Sequence, residues 1–293
     1  MTSPRVLARR TAKRLSRIVT APTSSLRSLP DFLIIGAQRA GTTSLFRYLA
    51  AHPNVVPPSL NKGIHYFDTQ NFGRGPDWYR SHFPTDAYRA WTRRRTGGDV
   101  LTGEGSPYYV FHPLGPERIA GVLPEAKLIL MLRDPASRAY SQYQHEIARG
   151  FETLPFEEAL EREEERLAGE EERMLSDPTY ESFGLMHHSY VARGRYAEQI
   201  RRWWAWFSAD RLLVIDSKRF FADPDAGFQA VLEFLELPAH SLPAYRQLNA
   251  HSYGRMSDRA STILRSRFAE PNRDLVALLG REFSWTSGSA HVG

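Results

Sequence analysis

Apolar residues recur along this 293-residue chain in two rhythms. Continuous runs at 32–35 (FLII), 127–132 (KLILML) and 212–215 (LLVI) read as strands buried on both faces. Shorter runs, at 55–56 and around Glu104 within 101–109, read as lesser strands. Between the runs the period lengthens to three and four, as in Leu45, Tyr48 and Leu49 after the first run. That spacing predicts helices over 138–148 behind Ser137, over 197–207 and 220–235, and one or two more ending near Gly280. Segment 152–173 is helical and strongly acidic, so a solvated face is expected, whereas 91–98 reads as a solvated basic loop. Strands alternating with helices predict an α/β fold with one central parallel sheet flanked by helices.

The first run leads directly into a glycine turn and a helix: Gly36, then Ala37-Gln38-Arg39-Ala40-Gly41, then Thr42-Thr43-Ser44. A helix N-terminus leaves backbone N–H groups without intrahelical partners and adds the positive end of its dipole, so such a junction binds phosphate. Arg39 adds a forked cation and the three hydroxyls add donors. Gly36 and Gly41 stand at the separation of the pattern G-x-x-x-x-G-K-[ST], but Thr42 occupies the lysine position. The domain is therefore P-loop-like, and the usual nucleoside triphosphatase reading is weakened. Arg133 stands just past the run 127–132, with Ser141 about two helical turns on, and the two form a candidate second anion contact.

Residues 61–68 carry His65, Tyr66 and Asp68 soon after a short strand, where open α/β sheets place chemistry. A single histidine there is as readily a structural hydrogen-bonding group as a base. Glu104, if buried, would orient a functional group; as a cap or surface residue it would not. His187 and His188 are adjacent and would not converge on one ion, so no metal site is assigned. Trp78, Tyr79, His82 and Phe83 fit core and ligand wall equally well.

Composition narrows the classes. Cysteine is absent, which removes disulfides and thiolate metal sites and fits a cytoplasmic setting, and no apolar run reaches the length of a membrane span. The net charge of +5 is concentrated at one end: residues 1–30 hold seven Lys or Arg and no acid, leaving a near-neutral body. This arm lacks the pattern of a secretory signal and is expected to be disordered. Val6, Leu7, Leu15, Ile18 and Val19 give it a weak apolar face for peripheral contact with anionic lipid. One basic tail does not indicate nucleic-acid binding.

These residues together resemble a sulfotransferase dependent on 3′-phosphoadenosine 5′-phosphosulfate (PAPS). The likeness is to bacterial relatives of the heparan sulfate N- and 3-O-sulfotransferase domains. It covers roughly 31–285 and is carried by FLIIGAQRAGTTSL, by IHYFD followed by WYRSHFP, by LRDPASRAYSQY and by FAEPNRDLVALLGREFSW. The resemblance implies a sulfotransferase domain over 31–293. It implies that Arg39, Ala40, Gly41, Thr42, Thr43 and Ser44 bind the 5′-phosphosulfate, and that Arg133 and Ser141 bind the 3′-phosphate. Tyr196 falls near the adenosine-side segment, and Tyr253, Gly254 and Arg255 fall near a C-terminal loop that closes on the nucleotide. Three positions depart from the family: Arg39 replaces a lysine, Gly63 replaces the glutamate base, and Gly105 replaces a lysine before Ser-Pro.

The implied reaction moves the sulfuryl group of PAPS to a hydroxyl of a glycan, glycolipid or small metabolite, releases adenosine 3′,5′-bisphosphate (PAP) and uses no metal. Arg39 would stabilise the leaving bisphosphate. His65 would take the proton, with Asp68 orienting it or serving in its place. A P-loop kinase or triphosphatase, and a nucleotide-binding module without catalysis, are the competing readings.

Overall fold

Four parallel strands, β1 (Phe32–Gly36), β2 (Gly103–Glu104), β3 (Lys127–Leu132) and β4 (Leu212–Asp216), lie side by side in the order β2-β1-β3-β4. The computed structural model describes residues 21–59, 62–248 and 254–286. All of β1 is buried, and so is β3 beyond Lys127, because both faces are covered and no solvated side calls for alternation. β4, on the edge, alternates buried with half-buried positions. The register runs Phe32 to Lys127 across β1 and β3, and Leu128 to Leu212 across β3 and β4.

The chain passes from β1 to β2 on one side, then returns past β1 to β3 on the other. Loops leaving the carboxyl ends of β1 and β3 therefore diverge and open a crevice at that edge. Three helices start there: Thr42–Ala51 after β1, Pro135–Arg149 after β3 and Ser217–Ala222 after β4. The first buries Leu45, Phe46, Tyr48 and Leu49, Tyr48 against the rings of Phe220, Phe228 and Tyr245, which fixes where its N-terminus points.

Several elements differ from expectation for identifiable reasons. Residues 55–56 make only one bridge, Val55 to Leu101, because Pro57-Pro58 cannot donate to a ladder. The expected basic loop is the helix Asp86–Thr96. Thr85 caps it, and Arg93, Arg94 and Arg95 in its last turn complement its dipole. The helix after β3 begins at Pro135 rather than beyond Ser137, and Asp134 caps it by accepting the Ser137 N–H at 3.0 Å. The stretch 220–235 is split at Pro224 into Ser217–Ala222 and Pro224–Phe234.

The acidic segment is three helices, Phe156–Glu161, Glu163–Leu167 and Glu170–Ser176, and its solvated face is incomplete: Glu152 and Glu163 are buried. Glu163 accepts the N–H groups of Val191 and Ala192 at 2.8 Å, which is why a carboxylate is found inside. The described end of the arm is packed on the domain: Arg27 bridges to Thr85 and donates to the Phe83 carbonyl at 2.5 Å. Residues 1–20 lie outside the described residues, as does the apolar face expected there. No described helix is long and apolar enough to cross a membrane.

Candidate active site

At the carboxyl edge of the sheet lies a cavity of about 1240 Å³, floored by the loop after β1. Gly41 turns this loop into the helix at φ 97°, and a Cβ there would stand 2.5 Å from the Phe221 ring, so both backbone and space demand glycine. Arg39 also adopts a left-handed conformation, φ 71°. A non-glycine residue there costs on the order of 1–3 kcal/mol and persists only where its surroundings over-determine it. Here Arg39 Nε donates to Ser141 Oγ at 3.0 Å, and Arg133 Nη1 donates to the Arg39 carbonyl at 3.2 Å. The two anion contacts expected from sequence are thus joined into one wall.

Ala40, Gly41, Thr42 and Thr43 line the cavity, with Ser217 Oγ donating to the Ala40 carbonyl at 2.7 Å. Ser44 does not: it is fully buried and its hydroxyl accepts the Leu248 N–H at 2.8 Å, drawing Gln247 and Leu248 into the wall. Tyr196 lies behind the cavity. Its buried hydroxyl donates to the Arg133 carbonyl at 2.8 Å, and its ring meets Trp285, which does line the space. Gly254 and Arg255 are exposed and not among the cavity's lining residues, and Tyr253 lies outside the described residues.

The opposite wall is the segment 62–68 laid along β2. Glu104, fully buried, accepts the Ile64 N–H at 2.8 Å, the Ser106 hydroxyl at 2.7 Å and the hydroxyls of Tyr79 and Tyr109 at 3.0 and 2.7 Å. Ser106 Oγ in turn accepts the His65 N–H at 3.1 Å. Glu104 therefore positions His65 through the backbone and is no surface cap. Burial raises its pKa above the ordinary carboxylate value despite these hydrogen bonds.

His65 takes φ 54°, a second non-glycine residue held left-handed in the same site. Its Nδ1 lies 2.8 Å from Asp68 Oδ2, and that carboxylate is buried. Burial works against charging the ring, but the Asp68 charge and hydrogen bond outweigh it, so the histidine pKa is raised. With Nδ1 committed to Asp68, Nε2 is the atom left for the cavity. It stands 3.4 Å from where a Cβ on Gly63 would be. The imidazole thus occupies the neighbourhood that a side chain at 63 would enter.

Sequence reasoning missed Lys62 as a site residue. Its Nζ donates to Thr42 Oγ1 at 2.8 Å and to Thr43 Oγ1 at 3.4 Å across the cavity. Only the threonine at the P-loop lysine position hinted that an ammonium had to come from elsewhere. Gln38, Lys218 and Phe221 also line the cavity and carried no signal in spacing. Among the described residues, no group of three or more His, Asp or Glu side chains is arranged to hold a metal ion.

Comparison with known proteins bears on the family and the fold. The sequence profile of the sulfotransferase domain family matches residues 29–267. The bifunctional heparan sulfate N-deacetylase/N-sulfotransferase 1 of Caenorhabditis elegans is 30% identical over 224 residues, covering 75% of this chain and 23% of that protein. The corresponding enzyme 4 of Mus musculus is 32% identical over 226 residues, covering 72% and 23%. The chain thus spans about a quarter of the length of these relatives. A solved sulfotransferase from Alicyclobacillus acidocaldarius superposes with a TM-score of 0.65 at 30% identity, covering 89% of this chain and 99% of that one.

Proposed function

This chain belongs to the sulfotransferase domain family, and from that premise we propose that it passes the sulfuryl group of PAPS to a hydroxyl of a glycan acceptor. The observation that carries the donor assignment is the Arg39–Ser141 hydrogen bond backed by Arg133 on the Arg39 carbonyl, which joins two anion-binding loops at one helix N-terminus. Such a donor set suits a nucleotide with phosphates at both its 5′ and 3′ positions. Loop 39–43 would hold the phosphosulfate, and Arg133 with Ser141 the 3′-phosphate. The glycan class is supported by relatives whose names specify heparan sulfate, and by a cavity of 1240 Å³ with room beside a nucleotide.

When bound, PAPS supplies an activated sulfuryl group whose departure leaves negative charge on the bisphosphate. Arg39 and the N-terminus of Thr42–Ala51 meet that charge with preorganised donors. His65 Nε2, fixed by Asp68 on its far side, accepts the acceptor hydroxyl's proton in place of the carboxylate absent at Gly63. Because its pKa is raised, His65 is neutral only towards higher pH, and turnover climbs as pH rises through that value.

The test is calorimetric titration with PAP, ADP and ATP, each with Mg²⁺ and with chelator. PAP is expected to bind at least about tenfold tighter than ADP without metal, roughly 1.4 kcal/mol. Tighter, Mg²⁺-dependent ATP binding would overturn the donor assignment in favour of a kinase or triphosphatase.

A further inference from the structure

The P-loop pattern places a lysine where this chain has Thr42, yet an ammonium reaches that same hydroxyl from outside the loop. Lys62 is held for this by its backbone. Its carbonyl accepts the Gly105 N–H at 2.9 Å, and the N–H groups of Ile64 and His65 are fixed by Glu104 and Ser106. The side chain crosses to Thr42 over Gly105. A Cβ at 105 would lie 2.8 Å from Lys62 Cε and 3.6 Å from Nζ, so the lysine stem runs through the space that a side chain at 105 would need. Two of the three ammonium N–H groups can be given to Thr42 and Thr43. Lys62 also lines the cavity.

We propose that Lys62 is a donor-binding cation of this site, admitted by the absence of a side chain at Gly105, and that it takes up a proton when an anionic nucleotide settles on Thr42 and Thr43. The inference rests on the PAPS reading above and adds to it a residue and a linked proton. Burial lowers the lysine pKa to about 7, with the charge of Glu104 on β2 opposing the shift. The other groups facing it are His65 on its own segment, backed by Asp68, and Arg39 across the cavity. Near pH 7 part of the Lys62 population in the free site is therefore neutral, and a polyanion beside Nζ, 2.8 Å from Thr42 Oγ1, favours its protonation.

The experiment is titration of the full chain with PAP at pH 7 in two buffers of different ionisation enthalpy. Wild type is compared with Lys62→Arg, Lys62→Met and Gly105→Ala, and melting midpoints are recorded alongside. Wild type is expected to take up a measurable fraction of a proton on binding. Lys62→Arg, which cannot titrate, should lose that uptake and keep affinity within about fivefold. Lys62→Met should lose the uptake and bind roughly tenfold or more weakly. Gly105→Ala leaves the ammonium in the chain but displaces its stem, so its uptake should fall below that of wild type. Uptake that persists unchanged in Lys62→Arg belongs to His65 and overturns the proposal, as does unchanged affinity in a folded Lys62→Met. Should wild type fail to prefer PAP over ADP, the donor reading itself falls and this inference with it. Should Lys62→Met not fold, the arginine and alanine variants decide.

Discussion

The cavity wall and the region 146–193 both concentrate charge, but they dispose of it in opposite ways. In the cavity wall, Arg39 donates to a serine hydroxyl, Arg133 to a carbonyl and Lys62 to two threonines, and all three line the cavity. In the other region, acids are buried against matched partners. Glu152 takes Arg166, the Tyr190 hydroxyl and two backbone N–H groups, Glu163 takes the N–H groups of 191 and 192, and Glu146 takes His187 at 2.9 Å. A charge matched inside the fold contributes to stability. A cation whose side chain lines a cavity meets an anion that enters from solution. Substitutions in the first region should therefore act mainly on chemistry and binding, and those in the second mainly on stability.

The largest effect separating the two is expected at His65. His65→Ala removes the proton acceptor but leaves loop 39–43 and Arg133 in place. Turnover should fall about 10²- to 10⁴-fold. PAP affinity should stay within about threefold, and the melting midpoint should fall by no more than a few degrees, the loss coming from the buried Asp68 carboxylate that gives up its ring partner. Steady-state transfer from PAPS, measured beside PAP calorimetry, checks all three. Near-normal turnover would remove His65 from the mechanism and direct attention to Asp68.

Arg39→Ala comes next. It withdraws a guanidinium that is both a cation and the link to Ser141, so PAP should bind roughly 10- to 100-fold more weakly. A charge-assisted contact of this kind contributes about 1.5–3 kcal/mol, whereas relief of the left-handed arginine backbone is not gained with alanine, which dislikes φ 71° equally. Wild-type affinity in this variant would mean that the loop binds nucleotide by its backbone alone.

What was legible in the sequence follows the same division. The floor of the site is local: Gly36 to Thr43 are consecutive, so a buried strand, a turn and a helix start could be read directly and stand where expected. Arg133 and Ser141 were legible because they too follow a buried strand at helical spacing. Lys62 was not, since its meaning depends on Gly105 being side-chain-free 43 positions later and on β2 lying beside β1. Ser44 belonged to the right motif, but its helical position turns it inward to Leu248. The acidic run misled because composition reports average solvation, while Glu152 and Glu163 find buried N–H and guanidinium partners from elements far along the chain.

The smallest effect lies at Glu152, and its sign tests the comparison from the other side. Burial alone would raise its pKa, but hydrogen bonds from Arg166, Leu154, Tyr190 and Thr153 prevail and hold it at about 2, below the ordinary 4.5. A carboxylate whose folded pKa is depressed contributes stability that is fully present above the unfolded value and is lost as pH falls through the folded one. Allowing for screening near the surface, the contribution at pH 7 is on the order of 2 kcal/mol. Glu152→Gln should therefore melt roughly 4–8 °C lower than wild type at pH 7. The gap should hold down to about pH 5 and then close towards pH 2 as the wild-type carboxylate protonates. Affinity for PAP at pH 7 should be the same in both proteins. Weaker PAP binding in Glu152→Gln would show that the matched region communicates with the cavity, and the route open to it is the Arg193–Gln38 hydrogen bond, which joins the turn beside Glu163 to the loop after β1.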